Sequence, residues 1–146
     1  MTTNTAKATW QGDLPTGKGE FTLTTTGFHG AYSFASRFEN ASGTNPEELI
    51  AAAHASCFSM AFSNQLAKAG FTPKNVSTTA AVTLAKIEGG FGITQITLTC
   101  DADVPNISEA QFNELANAAK TGCPVSKALA SVPEITLQAT LKKAAA

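Results

Sequence analysis

The chain has 146 residues, a composition ordinary for a globular protein and a net charge of −1. This length predicts one domain over residues 1–146, with a core large enough to need no disulfide staples. The sequence has no run of basic residues, so neither nucleic acid nor an anionic membrane is expected as a partner. Because there are only three cysteines and the first residues hold no apolar stretch, we expect a cytoplasmic protein.

Three short strands are predicted first, at residues 8–12, 20–26 and 32–38. Apolar and polar residues alternate in each run, which is typical of half-buried strands. The longest apolar-rich stretch, residues 49–62, is too short and too polar to span a bilayer.

A long helix is predicted next. Asn45 is suited to the N-cap, Pro46 to the first helical position, and Glu48 completes a variant of the capping box. The helix should run to about Lys68 and stop at Gly70. It is apolar nearly all round, so we expect it to be buried against both a sheet and a partner subunit.

The second half of the sequence is predicted to form a β-hairpin with its turn at Gly89-Gly90, followed by two helices and a last strand. The order β-β-β-α-β-β-α-α-β is that of an α+β fold. The predicted bounds are residues 76–88 and 92–102 for the hairpin, 108–120 and 123–131 for the helices, and 135–141 for the strand.

Two of the cysteines occur in unusual settings. Cys57 lies within the long apolar helix, and Cys123 stands directly before Pro124, where a helix begins. A thiol at a helix start faces unpaired N–H groups and the positive end of the helix dipole, which favour the thiolate. We therefore expect a dithiol that can close and reopen. Cys100, on the apolar face of a strand, is expected to be an inert core thiol.

The single arginine, Arg37, is a candidate to stabilise a thiolate, and Glu47 could orient its guanidinium through a bidentate pair. Glu47 and Cys57 are ten residues apart on one helix, or roughly 15 Å along its axis. One helix cannot bring both to a small substrate. Either the site is completed across a dimer interface, with carboxylate and thiol from different chains, or Glu47 is outside it.

His54 lies three residues before Cys57 and so on the same helix face. It is either a hydrogen-bonded packing residue or part of a Cys–His dyad. The dyad would make the protein an acyl hydrolase, and a second rival is a non-catalytic dimer that binds apolar ligands. Neither rival needs a second thiol. With two histidines and no close cysteine pair, a zinc site is not expected.

Two stretches together resemble the OsmC/Ohr family of thiol peroxidases, and the OsmC branch in particular. They are residues 44–60, TNPEELIAAAHASCFSM, and residues 122–126, GCPVS; Ser36-Arg37-Phe38-Glu39 also fits. The resemblance covers nearly the whole chain. It implies an OsmC-like α+β fold with antiparallel sheets around a central buried helix, formed by an intertwined homodimer with two active sites at its interface.

The resemblance also implies roles. Cys57 would be the peroxidatic cysteine, Cys123 the resolving cysteine, and Arg37 with Glu47 the activating pair. The substrate would be an organic hydroperoxide and the reductant an external dithiol, with no cofactor and no metal.

The residues by themselves favour the other thiol, because Cys123 stands at a helix start whereas burial of Cys57 would raise its pKa. Lowering a thiol pKa from about 8.5 to about 6 takes roughly 3.4 kcal/mol, which a desolvated Arg37 could supply. The apolar neighbours Phe58, Met60 and Phe62 suggest alkyl or aryl peroxides as substrates.

Overall fold

The computed structural model describes residues 1–142. Their packing forms two compact units, one from Met1 to Leu49 and one that begins at Ile50. We call them the N-terminal unit and the C-terminal unit.

The N-terminal unit holds an antiparallel sheet of three strands, in the order β1 (Ala6–Gln11), β2 (Lys18–Leu23) and β3 (His29–Ser33). β2 ends three residues earlier than predicted. A turn closes there, in which the N–H of Gly27 donates to the carbonyl of Leu23 at 2.9 Å.

The prediction of a third strand over residues 32–38 is wrong from residue 34 onward, because residues 34–38 form a short helix, α1 (Phe34–Phe38). The Ser33 hydroxyl accepts from the Ser36 N–H, and the Ser36 hydroxyl accepts from the Ser33 N–H, which forms a capping box. Phe34 and Phe38 then stack one helical turn apart, with ring centroids separated by 4.8 Å. These local interactions outweigh the alternating pattern that suggested a strand.

The long helix, α2 (Pro46–Lys68), has the predicted bounds. Its first turn belongs to the N-terminal unit and the rest to the C-terminal unit. The Asn45 side chain accepts from the Glu48 N–H at 2.8 Å, as an N-cap should. Burial follows one stripe of every fourth residue, and Met60, outside that stripe, is 75% exposed. The buried stripe consists of His54, Phe58, Phe62 and Leu66.

The C-terminal unit holds the second sheet. β4 (Asn75–Ile87) and β5 (Gly90–Asp103) form the predicted antiparallel hairpin, and β6 (Glu134–Leu141) pairs with β5 in parallel. The expectation of antiparallel sheets is therefore confirmed for the first sheet and for the β4–β5 hairpin. The second sheet is mixed, because β6 is parallel to β5. A parallel neighbour requires a crossover connection, and α3 (Glu109–Gly122) with α4 (Pro124–Ala128) provides it.

The main core lies between the buried stripe of α2, the inner face of β5 and one face of α3. Phe62 of α2 meets Phe112 of α3 edge to face, with ring centroids 5.2 Å apart. Cys100 of β5 is fully buried in this core, as predicted, and burial raises its pKa. Within residues 1–142, no helix is long and apolar enough to cross a membrane.

Candidate active site

Arg37 and Glu47 form a bidentate ion pair in the N-terminal unit. Arg37 Nε donates to Glu47 Oε2 at 3.2 Å, and Nη2 donates to Oε1 at 2.7 Å. The carboxylate side chain is 9% exposed and the arginine side chain 36% exposed. A forked, partly desolvated pair of this kind fixes the plane of the guanidinium and leaves its remaining donors free to face another group.

Local hydrogen bonds hold the two partners in place. The Ser36 hydroxyl donates to the Thr44 carbonyl at 2.7 Å, and the Asn45 amide donates to the Ser36 carbonyl at 3.3 Å. These bonds fasten α1, which carries Arg37, to the loop that starts α2. The capping residues Ser36 and Asn45 therefore also position the ion pair.

Cys57 and Cys123 meet in the C-terminal unit. They are 66 residues apart in sequence, and their Sγ atoms are 2.8 Å apart. Cys57 projects from α2, and Cys123 is the N-cap residue of α4. Cys57 is partly exposed, whereas Cys123 is fully buried. The two thiols share a hydrogen bond, so that one can donate while the other carries negative charge.

The surroundings of the two sulfur atoms differ. Burial raises the pKa of Cys57, as does the hydrogen bond with Cys123, while the N–H of Val125 acts in the opposite direction. Burial also acts to raise the pKa of Cys123. For Cys123, however, hydrogen bonds outweigh the effect of burial, so its pKa is lowered. These bonds come from Cys57, from the Ser126 N–H and hydroxyl, and from Val125. Within the C-terminal unit, Cys123 is therefore the cysteine that ionises more readily to the thiolate, in line with its position at a helix start.

His54 is fully buried and its Nε2 lies 2.7 Å from the Ser126 Oγ, so its hydrogen bond goes to Ser126 rather than to Cys57. Its Nδ1 has no hydrogen-bond partner among residues 1–142. Burial lowers its pKa, which keeps the ring neutral near pH 7. This is the packing role that the sequence left open, not a Cys–His dyad. Sequence reasoning missed Ser126, although its place three residues after a helix-capping cysteine was a usable signal.

Two of the three apolar residues near Cys57 in sequence do not line an open site. Phe58 and Phe62 are fully buried in the core, and Met60 is 75% exposed. An apolar pocket of about 230 Å³ occurs instead in the N-terminal unit, beside the first turn of α2. It is lined by Ala8, Phe21, Tyr32, Thr44, Asn45, Pro46 and Leu49.

The fold, the bidentate ion pair and the adjacent thiols define a protein of the OsmC class. The model of the family described as OsmC-like protein matches residues 39–138, so the chain belongs to this family. The chain is 49% identical to peroxiredoxin OsmC of Escherichia coli (strain K12) over 138 residues, which cover 93% of this chain and 94% of that protein.

Solved structures extend the likeness. The organic hydroperoxide resistance protein OhrB of Bacillus subtilis superposes with a TM-score of 0.67 at 29% identity, covering 94% of this chain and 98% of that one. An OsmC-like protein from Mycoplasma pneumoniae superposes with a TM-score of 0.74 at 21% identity, covering 97% and 99%. The second likeness supports the fold alone.

Proposed function

We propose that this protein is a cofactor-free thiol peroxidase that reduces organic hydroperoxides to alcohols. The observation that carries the proposal is the 2.8 Å separation of the Cys57 and Cys123 sulfur atoms. A thiol pair of this kind can store two oxidising equivalents as a disulfide. The relatives support the same function, since they are named peroxiredoxin OsmC and organic hydroperoxide resistance protein.

The first step is nucleophilic attack on the peroxide. The Cys57 thiolate attacks the distal oxygen, the O–O bond breaks, and the departing alkoxide takes up a proton and leaves as an alcohol. Cys57 is left as a sulfenic acid. Arg37, held by Glu47, supplies the positive charge that stabilises the negative charge moving from the thiolate to the peroxide oxygens.

The second step closes the disulfide. The Cys123 thiolate attacks the Cys57 sulfur, and the sulfenic oxygen leaves as hydroxide, which a proton converts to water. The sulfur atoms need to approach by only about 0.8 Å to reach a disulfide bond length of about 2.0 Å. An external dithiol then restores both thiols by exchange.

Cys57 is assigned as the attacking thiol because a peroxide can reach it. The Cys57 residue is partly exposed, whereas Cys123 is fully buried and suits the resolving role. The lowered pKa of Cys123 and the raised pKa of Cys57 oppose this assignment. The pKa values no longer oppose this assignment when a guanidinium stabilises the Cys57 thiolate. Arg37 is the residue that can provide this guanidinium.

The active form is a homodimer with sites at its interface. The helical distance between Glu47 and Cys57 argues for groups from two chains. The α2 surface outside its buried stripe includes the exposed Met60, and such surface is suited to a partner subunit. The N-terminal unit has a small core of its own, with Phe21 as a buried large side chain, and gains stability from a covering chain.

The substrate is an alkyl or aryl hydroperoxide. The wall of the apolar pocket beside Pro46 is almost entirely apolar, so it suits the hydrocarbon part of such a molecule. Turnover of hydrogen peroxide equal to that of an aryl hydroperoxide at the same concentration would contradict this preference.

The intact mass of the protein after one equivalent of organic hydroperoxide tests the function. The wild-type chain should lose two hydrogens, and Cys123→Ser should instead gain one oxygen on Cys57. Cys100→Ala is the matched control, because its buried thiol lies in the core, and it should behave like the wild type. Unchanged masses in both the wild type and Cys123→Ser would overturn the proposal.

A further inference from the structure

Two buried polar residues lie behind the resolving thiol and have no part in the steps above. Ser126 is 9% exposed and His54 is 0% exposed, and the Ser126 Oγ lies 2.7 Å from His54 Nε2. Ser126 is the third residue of α4, and Cys123 is its N-cap. Helical side chains lean toward the N-terminus, so the Ser126 hydroxyl is directed at the Cys123 side chain.

The unpaired ring nitrogen determines the direction of the hydrogen bonds. His54 Nδ1 is buried, and it has no hydrogen-bond partner within the part of the chain that the structure describes. A buried N–H without an acceptor costs more than a lone pair without a donor, so the proton lies on Nε2. Nε2–H then donates to the Ser126 oxygen. The Ser126 hydroxyl hydrogen is left free for another acceptor, and hydrogen bonding from this side chain to Cys123, the N-cap of the same helix, is one cause of the lowered pKa of that thiol.

We propose that His54 and Ser126 form a positioning pair that stabilises Cys123 as the leaving thiolate when an external dithiol opens the Cys57–Cys123 disulfide. The inference rests on the proposed function, since it assigns the pair to the reductive half of that cycle. It explains why a polar pair, with one nitrogen unsatisfied, is kept in a buried position.

A thiolate of the external dithiol attacks the Cys57 sulfur, which is the more exposed of the two. The Cys57–Cys123 bond breaks, and its electron pair leaves on Cys123, which accepts the hydrogen bond from Ser126. The second thiol of the reductant then attacks the mixed disulfide and releases Cys57 as a thiolate. The dithiol ends as a cyclic disulfide, having lost the two electrons that the protein gained.

The experiment is a redox titration of the full-length protein in buffers of reduced and oxidised dithiothreitol at pH 8, with alkylation and mass readout. Ser126→Ala should shift the equilibrium toward the disulfide by about five- to tenfold, or about 20–30 mV more negative. Ser126→Thr keeps the hydroxyl and should stay within about twofold of the wild type. His54→Leu should shift it in the same direction by about two- to threefold.

Ser59→Ala is the matched control, because it removes another 2.7 Å side-chain hydrogen bond of α2, to Thr78, with no link to either sulfur. It should titrate like the wild type. A folded Ser126→Ala protein with the wild-type equilibrium, or with the same shift as Ser59→Ala, overturns the inference. If circular dichroism shows Ser126→Ala to be unfolded, His54→Leu decides in the same way.

The titration does not use a peroxide, so the two proposals can fail separately. A wild-type protein that forms the disulfide in dithiothreitol buffers but not with organic hydroperoxide would overturn the peroxidase proposal and leave the role of Ser126 standing. A disulfide formed by hydroperoxide, with no effect of Ser126→Ala on its equilibrium, would overturn the role of Ser126 alone.

Discussion

The two units hold their reactive groups in opposite ways. In the N-terminal unit, Arg37 and Glu47 are ten residues apart and are joined by two charge-assisted hydrogen bonds on a partly exposed surface. In the C-terminal unit, Cys57 and Cys123 are 66 residues apart and touch at the edge of a packed core. A charged pair with forked geometry needs little support, whereas two weakly interacting sulfur atoms stay adjacent only if the core behind them is rigid.

The two units also differ in how many apolar side chains they bury. Phe21 is the buried hydrophobic residue of the N-terminal unit, and the other large buried side chains belong to the C-terminal unit. The difference suggests that the C-terminal unit carries most of the stability of a single chain, while the N-terminal unit depends more on contacts outside itself.

The largest expected effect is on the core. Phe112→Ala removes a fully buried ring that packs against Phe62, and it should lower the free energy of unfolding by about 3–5 kcal/mol. Denaturant unfolding measures this, and disulfide formation at Cys57 should slow in parallel. Phe28→Ala is the control, because that ring is 60% exposed and its loss should cost less than about 1 kcal/mol. Equal losses would contradict the division between the units.

The next effect is on the charged pair. Arg37→Met should lower kcat/KM for organic hydroperoxide by about 100-fold, or about 2.7 kcal/mol, because the Cys57 thiolate loses its counter-charge. Burial then raises the pKa of Cys57 against only the weaker effect of the Val125 N–H, so its alkylation in a Cys123→Ser background should need higher pH. Lys86→Met, which removes an exposed cation, should change neither quantity. An unaltered alkylation profile in Arg37→Met would contradict the assigned role.

Complementation shows which chain supplies each group. Arg37→Met and Cys57→Ser chains, each inactive alone, are co-expressed and allowed to pair at random. If the guanidinium and the thiol come from different chains, half of the dimers hold one intact site of two, so about a quarter of wild-type activity returns. No recovered activity would place both groups in one chain.

The smallest effect is a pH dependence of stability from His54. Burial lowers its pKa in the folded chain, so below about pH 6.5 the unfolded chain binds a proton that the folded chain resists. Stability should therefore fall as pH drops below that value, by at most about 1.4 kcal/mol per pH unit. His54→Leu should flatten this part of the profile in urea titrations at several pH values. Ser59→Ala, which changes no titratable group but removes another side-chain hydrogen bond of α2, should leave it unaltered.

Local signals carried the sequence predictions that succeeded. Asn45 and Pro46 mark the start of α2, Gly89-Gly90 marks the hairpin turn, and the two cysteine motifs identify the family. The errors arose where a local signal was ambiguous or where pairing was distant. The alternation in residues 32–38 concealed a capping box, and nothing in the β6 sequence shows that it runs parallel to β5.

The sequence by itself determined the family, the order of the elements other than α1 and the residues worth testing, because caps, periodicity and motifs act over a few positions. Only the tertiary structure decided that the Cys57 and Cys123 sulfur atoms lie 2.8 Å apart, that Phe58 and Phe62 belong to the core, and that His54 faces Ser126. These contacts join residues up to 72 positions apart. They depend on how α2, α3 and the second sheet pack, which no short stretch of sequence encodes.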